Sequence, residues 1–353
     1  MTRKLDPAAL ASPSCPAPAT PERVILSHGA GAGASARLLA ERIFPHLDNP
    51  WLAARHDGAV LEAGGARLAF TTDTFVVHPL EFPGGDIGSL AVHGTLNDLA
   101  MCGARPIALS CALVLEEGLP LEAVERVARA IGAAARAAGV PVVTGDTKVV
   151  ERGKGDGLFV NTAGIGLVPA GRELRPDRVR PGDAVLVSGP IGCHGAAVLS
   201  VREGLAFETE IESDSACVAP LVEALFDAGV AVSCLRDPTR GGLGAALHEI
   251  ASAAGAEIEI EEAAVPVAGP VRAACELLGL DPLFLASEGR LVAFVPEAHA
   301  AAALAALRGH ALGRDAVRVG RVREGRPRVV VRTALGARRL LPLPAGEPLP
   351  RIC

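Results

Sequence analysis

Arg67-Leu-Ala-Phe-Thr-Thr-Asp-Thr-Phe-Val-Val77 reads as a β-strand, rich in β-formers and interrupted by a polar centre at Thr71 to Thr74. After it, Gly84-Gly85-Asp86 opens a helix running to about Gly103, with Leu90, Leu96 and Leu99 among its apolar positions. Pro106 to Glu116 is the next strand, and Leu121 to Ala138 is an amphipathic helix ended by Gly139. Val140-Pro-Val-Val143 then leads into the glycine-containing turn Thr144-Gly-Asp-Thr-Lys148, and Leu158 to Val168 makes a further strand. Strands and helices intermix along the chain, which places it in the mixed α/β (α+β) class.

Outward from this half, a Pro/Arg-rich stretch at 169 to 181 marks a boundary. The second half restarts with the buried strand Ala184-Val-Leu-Val187 and the glycine-rich Ser188-Gly-Pro-Ile-Gly-Cys-His-Gly195. Helices are expected at about 195 to 203 and 216 to 228, and the polar turn Arg236-Asp-Pro-Thr-Arg-Gly-Gly242 opens another to about Ala254. Strand patterns near 256 to 261, 290 to 295, 317 to 323 and 328 to 332 complete it. A chain of 353 residues is long for one core. Four segments are therefore expected: a flexible extension at 1–22, domains at 23–170 and 171–340, and a mobile tail at 341–353.

Composition narrows the function classes. A net charge of -6 gives no strong pull towards nucleic acid or anionic membrane, and with no Tyr and one Trp, platforms for stacking bases are scarce. The arginines from Arg308 to Arg339 alternate with apolar residues and read as a solvated sheet face. The eight cysteines are scattered with no C-x-x-C pair, which fits a reducing cytoplasm. No stretch approaches the ~18 apolar residues of a membrane span.

The last residue, Cys353, ends the segment Pro342-Leu-Pro-Ala-Gly-Glu-Pro-Leu-Pro-Arg-Ile-Cys353. Four prolines fix φ and remove donors, so an extended arm is expected, reaching on the order of 35 Å at roughly 3.1 Å per residue. A thiol on such an arm is a candidate swinging carrier of a substrate.

Acidic residues recur in what read as polar turns: Asp73, Asp98, Asp146 and Asp237. Converging carboxylates would hold magnesium, although singly each also suits a helix cap or a turn. Asp146 lies two residues from Lys148, so one side chain suits metal and the other phosphate. Asp237 precedes Thr239-Arg240-Gly241-Gly242 at a helix start, where free N–H groups favour anions. Ser27-His-Gly-Ala-Gly-Ala-Gly33 offers more backbone N–H groups for phosphates. Together these suggest a magnesium-nucleotide site assembled from both halves.

Put side by side, His28-Gly29, Asn49-Pro50-Trp51, Thr72-Asp73, Phe82-Pro-Gly-Gly85, Asn97-Asp98, Leu115-Glu-Glu-Gly-Leu-Pro120, Val143-Thr-Gly-Asp-Thr-Lys-Val149, Asn161-Thr-Ala-Gly164, Arg236-Asp-Pro-Thr-Arg-Gly-Gly242, Ser287-Glu-Gly289 and the ending Pro348-Leu-Pro-Arg-Ile-Cys353 resemble the HypE family of hydrogenase maturation factors, within the PurM-like ATP-binding superfamily. The ending is the most specific element, because the wider superfamily does not share it.

The resemblance implies a PurM-like N-terminal domain that dimerises through its sheet, a second α/β domain, and ATP held between the domains with magnesium. It implies that a carbamoyl group placed on Cys353 by the carbamoyltransferase HypF is dehydrated to a thiocyanate. That group supplies the cyanide ligands of [NiFe]-hydrogenase iron and passes to the HypC-HypD complex. By resemblance, Asp73, Asp98, Asp146 and Asp237 hold magnesium and ATP, with His28, Gly29, Thr147, Asn161, Thr239, Arg240 and Gly241 around the nucleotide. Lys148 and Glu288 serve phosphate transfer and proton removal. Departures from the family pattern stand at Ala30, Ala32, His78 and Cys193. Alternatives are a small-molecule ATP enzyme of the selenophosphate synthetase or thiamine-phosphate kinase type, neither of which needs Cys353, and a non-catalytic maturation scaffold.

Overall fold

Two β-sheets, one from each half, are held together by a helix buried on every side. The computed structural model describes residues 23–29, 31, 33–47, 49–204, 210–344 and 351–353; the expected extension at 1–22 and residues 345–350 of the proline-rich tail lie outside them. After the short helices α1 (Gly33–Leu38), α2 (Phe44–Leu47) and α3 (Pro50–Ala53), the first sheet comprises β1 (Ala59–Ala63), β2 (Ala66–Phe75), β5 (Arg105–Glu116), β6 (Val142–Val150) and β7 (Leu158–Leu167). Its order is β1-β2-β7-β5-β6, with only the β5–β6 pair parallel. The two-residue strands β3 (Glu81–Phe82) and β4 (Gly85–Asp86) pair with each other.

Strand parity already places one polar side chain. Along β2, Ala69, Thr71 and Phe75 are buried while Phe70, Thr72 and Thr74 are exposed, and Asp73 shares the parity of the buried set. That face is covered by α4 (Ile87–Met101), over which α5 (Leu121–Ala138) packs. Helix α4 starts at a capping box: the Asp86 carboxylate accepts from the N–H groups of Gly88 and Ser89 (2.8 and 2.9 Å), and Ser89 Oγ accepts from Asp86 N. Twelve of its fifteen residues are buried, because the second half covers the side that the first sheet leaves open. Helix α5 ends at Gly139 in the left-handed region, φ 69°, as expected of a glycine C-cap.

One local expectation is corrected. Thr144 to Lys148 form no turn but continue β6 along the sheet edge. Leu109 pairs with Val142 and Ser110 with Thr144, so the register slips by one residue there. A Cβ at Gly145 would stand 2.0 Å from the Cys111 carbonyl oxygen, so only glycine carries the strand past that point. Asp73 and Asp98 likewise lie in a strand and a helix rather than in turns.

The second sheet runs β14-β13-β10-β12-β8-β11-β9. Its strands are β8 (Asp183–Val187), β9 (Cys234–Arg236), β10 (Glu257–Glu261), β11 (Val292–Pro296), β12 (Val317–Arg323), β13 (Arg328–Arg332) and β14 (Arg338–Leu340). Its helices are α6 (Cys193–Arg202), α7 (Ala219–Asp227), α8 (Gly242–Ala254), α9 (Gly269–Leu278) and α10 (Ala300–Arg308). The arginine-rich end forms strands whose Arg323, Arg328 and Arg338 pair with Glu257 and Glu259 of β10. Among the described residues no helix is long and apolar enough to cross a membrane.

Asn97 of α4 joins the halves. Its amide nitrogen donates to the carbonyls of Ala216 and Glu288 (3.0 and 3.2 Å), and its oxygen accepts from Val218 N at 2.8 Å. All three partners belong to the second half and the side chain is 1% exposed, so nothing replaces these bonds when it is removed. Asn97→Ala is expected to cost about 2–3 kcal/mol of stability, read as a lowered midpoint in thermal unfolding; an unchanged midpoint would show that the seam is held by apolar packing alone.

Candidate active site

Three distant segments converge in the seam. Asp57 precedes β1, Asp98 projects from α4, and Asp237 follows β9; one ligand oxygen from each lies within 4.8 Å of the others. Burial drives the Asp98 and Asp237 carboxyls well above the ordinary range, and the neighbouring carboxylates add to the rise. Thr71 Oγ lies 2.7 Å from Asp98 Oδ2 and 3.0 Å from the Asp57 carbonyl oxygen. Its hydroxyl has one proton, so without a cation the arrangement is satisfied when Asp98 is protonated and donates to Thr71, which donates onward. Burial would raise Asp57 too, but Arg236, ion-paired to both Asp57 and Glu249, holds it below the ordinary value.

Asp73 stands at the rim of this cluster, raised by burial and opposed by the charge of Arg240. Glu288 is 2% exposed, and burial, then Asp237, Asp73 and Asp214, push its carboxyl well up. Asp57 Oδ2, Asp237 Oδ2 and Glu288 Oε1 are buried with no hydrogen-bond partner. The converging carboxylates of Asp57, Asp98 and Asp237, two of them with an orphaned oxygen, form the donor set of a hard divalent cation, and magnesium fits it. Beside them a cavity of about 140 Å³ is lined by Gly31, Thr239, Arg240 and Gly242 at the start of α8. Gly241 and Gly242 both have positive φ, and a Cβ at Gly242 would come 2.6 Å from the Leu285 carbonyl oxygen; the chain turns there only because both are glycine.

The C-terminus closes the other side. Residues 351–353 are seated in the seam: Ile352 is 1% and Cys353 5% exposed, packed in one apolar cluster with Phe82, Leu199 and Leu285. Val76 N donates to a main-chain carboxyl oxygen of Cys353 at 3.1 Å, and the Cys353 sulfur lies 3.7 Å from Arg240 Nη1. Arg240 is raised by Cys353 first and then by Asp73 and Glu288, so one guanidinium borders the thiol, the cluster rim and the buried glutamate.

Not every expected residue is brought there. Asp146 and Lys148 pair with each other on the exposed face of β6 (2.7 Å), with Thr147 N donating to Asp146 Oδ1. The ammonium of Lys148 holds Asp146 below the ordinary value, the opposite of the seam carboxylates. Asn161 on β7 donates to the Asp73 carbonyl oxygen (2.9 Å) and Thr74 Oγ. His28 and Gly29 end a 3-10 turn that Ser35 ties down through the His28 carbonyl oxygen (2.7 Å); it is Gly31 that reaches the Arg240 backbone.

Two family models match, described as the N-terminal domain (residues 55–168) and the C-terminal domain (residues 180–332) of AIR synthase related proteins. A protein of Cupriavidus necator named carbamoyl dehydratase HypE is 53% identical over 333 residues, covering 94% of this chain and 95% of the relative. The chain belongs to the HypE family. A HypE of the same name from Escherichia coli is 50% identical over 93% of this chain and 98% of its own length. A HypE structure in complex with ATP superposes with a TM-score of 0.79 at 49% identity, covering 94% of this chain and all of that one. The HypE chain of a HypE-HypF complex gives 0.84 at 44% identity, over 87% and 99%.

Several site residues had no sequence signal of their own. Asp57 sits in Arg55-His-Asp-Gly58, before a strand too weak to anticipate, and Glu249 lies inside the α8 pattern with nothing to mark it; Arg236 stands in the Arg236–Gly242 turn, where nothing local gives it a role. Asp214, whose Oδ1 accepts from the N–H groups of His194 and Glu288 (3.0 and 3.3 Å), lies in an irregular segment. Because burial, and then Asp237, Asp57 and Asp73, make the ionised form of Asp98 costly in the folded protein, Asp98→Asn is expected to raise the melting temperature of protein in EDTA at neutral pH. Millimolar magnesium is expected to stabilise the wild type but not the variant; equal magnesium shifts would remove Asp98 from the cation site.

Proposed function

We propose that this chain binds ATP with magnesium in the seam and uses it to dehydrate an S-carbamoyl group on Cys353 to a thiocyanate, the source of cyanide for [NiFe]-hydrogenase iron. The observation that carries this is the C-terminal sulfur lying beside Arg240, at the rim of the buried carboxylate cluster. A freely projecting terminus has no reason to bury its last two residues there.

The chemistry asks for two things. The amide must lose its oxygen, a poor leaving group as hydroxide, and its nitrogen must lose two protons as the C≡N bond forms; ATP with magnesium supplies the phosphoryl group that carries the oxygen away. Asp57, Asp98 and Asp237 would hold the cation through ionised carboxylate oxygens, Asp98 and Asp237 releasing any proton they carry to solvent, with Asp73 at the rim. Arg240, beside the sulfur, supplies positive charge as negative charge grows on the carbamoyl oxygen. Glu288 would serve as the base once a bound cation offsets the charge of Asp237, Asp73 and Asp214 and leaves its carboxyl ionised; being buried, it then holds a proton from the nitrogen more firmly than an exposed carboxylate does.

Asp146 and Lys148 enter this reading through a second copy of the chain. The first sheet leaves Phe70, Ile107, Ile165 and Leu167 exposed on its uncovered side, an apolar face suited to a homodimer. Strand β6, carrying Asp146 and Lys148, would then lie within that assembly. Loading by HypF, transfer to HypC-HypD and a cytoplasmic setting complete the proposal; a solved HypE-HypF complex of a relative supports the first of these.

Cys353→Ala is expected to bind ATP as the wild type does but to give no carbamoyl-dependent ATP turnover; undiminished turnover would end the carrier reading. Glu288→Gln is expected to accept the carbamoyl group and accumulate it, with conversion slowed at least ~100-fold, followed by mass analysis of the C-terminal peptide. Conversion to the nitrile at the wild-type rate would remove Glu288 from the base role.

A further inference from the structure

Besides the contacts of Cys353 with Val76 and Arg240, Arg351 and Ile352 are held by His194, Arg202, Asp156 and the Val76 carbonyl, none of which belongs to the carboxylate cluster. His194 at the start of α6 is fully buried, with its Nε2 2.7 Å from the Ile352 carbonyl oxygen and its Nδ1 2.8 Å from Ser213 Oγ. A carbonyl only accepts, so Nε2 carries the proton and Nδ1 accepts from the serine. Burial keeps the ring neutral by lowering its pKa, and the Phe82 ring packs edge-on against it at 5.2 Å. Arg202, at the far end of α6, donates to the carbonyls of Arg351 and His78. Arg351 donates through Nε to the Val76 carbonyl oxygen (3.1 Å) and forms an ion pair with Asp156.

The backbone takes an uncommon course to meet them. Arg351 lies in the left-handed region at φ 58°, a conformation that a residue with a Cβ keeps only when its surroundings fix it. That turn sends the Arg351 side chain towards Asp156 while Ile352 enters the apolar cluster. Backbone carbonyls, a basic side chain and an apolar side chain are thus each met by a separate group, the elements of a peptide-recognition site.

We propose that His194, Arg202, Asp156 and the Val76 backbone form a sequence-reading receptor for a C-terminal Arg-Ile-Cys peptide, which sets the position of the sulfur before any chemistry. Asp156 reads the basic residue third from the end, and His194 fixes the penultimate carbonyl. These are positioning residues: they touch the peptide backbone and Arg351, not the reacting group. The proposal rests on Cys353 being the carrier, and it adds that recognition lies outside the nucleotide site.

The test uses full-length protein loaded by its carbamoyltransferase, with conversion per loaded molecule measured in a single turnover by mass analysis of the terminal peptide, so that a loading defect does not count. Asp156→Lys and Arg351→Glu are each expected to slow conversion about five-fold, the scale of a half-exposed ion pair turned repulsive, and the double exchange to restore most of the rate. His194→Leu is expected to slow conversion about ten-fold, and His194→Gln, which keeps a donor at the Nε2 position, to recover much of it. ATP affinity should be unchanged throughout. Asp156→Lys converting at the wild-type rate, or a double exchange no faster than the single variants, overturns the receptor, even if His194→Leu fails to fold. Failure of the wild type itself to convert would instead end the carrier reading, which makes the two failures distinguishable.

Discussion

Holding several carboxylates out of water within a few ångströms of one another is the constraint on which the rest of the molecule depends. Asp57, Asp73, Asp98, Asp237 and Glu288 share the seam with the guanidinium groups of Arg236 and Arg240. Charge does not balance, so burial and the neighbouring carboxylates push Asp98, Asp237 and Glu288 towards their protonated forms when no cation offsets them. A divalent cation relieves the same imbalance. The repulsion that costs stability in its absence is therefore the driving force for its binding.

Such a cluster survives only on a rigid support. Asp98 and Asn97 are consecutive on α4, one turned to the carboxylates and the other to the second half, so a single helix sets both the chemistry and the joint between the sheets. Its capping box and its burial on all sides restrict the movement that would let the repelling groups separate. On the opposing side Gly241 and Gly242 let the start of α8 pass against the backbone of residues 283–285, and Asp214 ties the Glu288 backbone to that of His194.

Much of this was legible in the residues because periodicity carries it. The β2 strand, the α4 start at Asp86 and the Gly139 stop of α5 follow from local rules. Thr144 to Lys148 misled because glycine beside polar residues looks like a turn, whereas here it relieves a collision with a neighbouring strand that no local pattern reveals. Asp57 was invisible for a related reason. Its place in the cluster is set by Arg236, 179 residues away, so it exists only once the halves are joined. The proline-rich ending suggested reach; the pairing of Arg351 with Asp156, 195 residues distant, turns its last three residues into a bound ligand.

The seated terminus has a practical side. A main-chain oxygen of Cys353 is taken by Val76 and its side chain is enclosed, so its position depends on contacts at the very end of the chain. Any fusion or affinity handle appended there would have to thread through a filled crevice or pull the cysteine out of it. A protein prepared in that way would keep its fold yet lose the geometry in which its sulfur faces Arg240, and engineering of this scaffold is better begun from the opposite end.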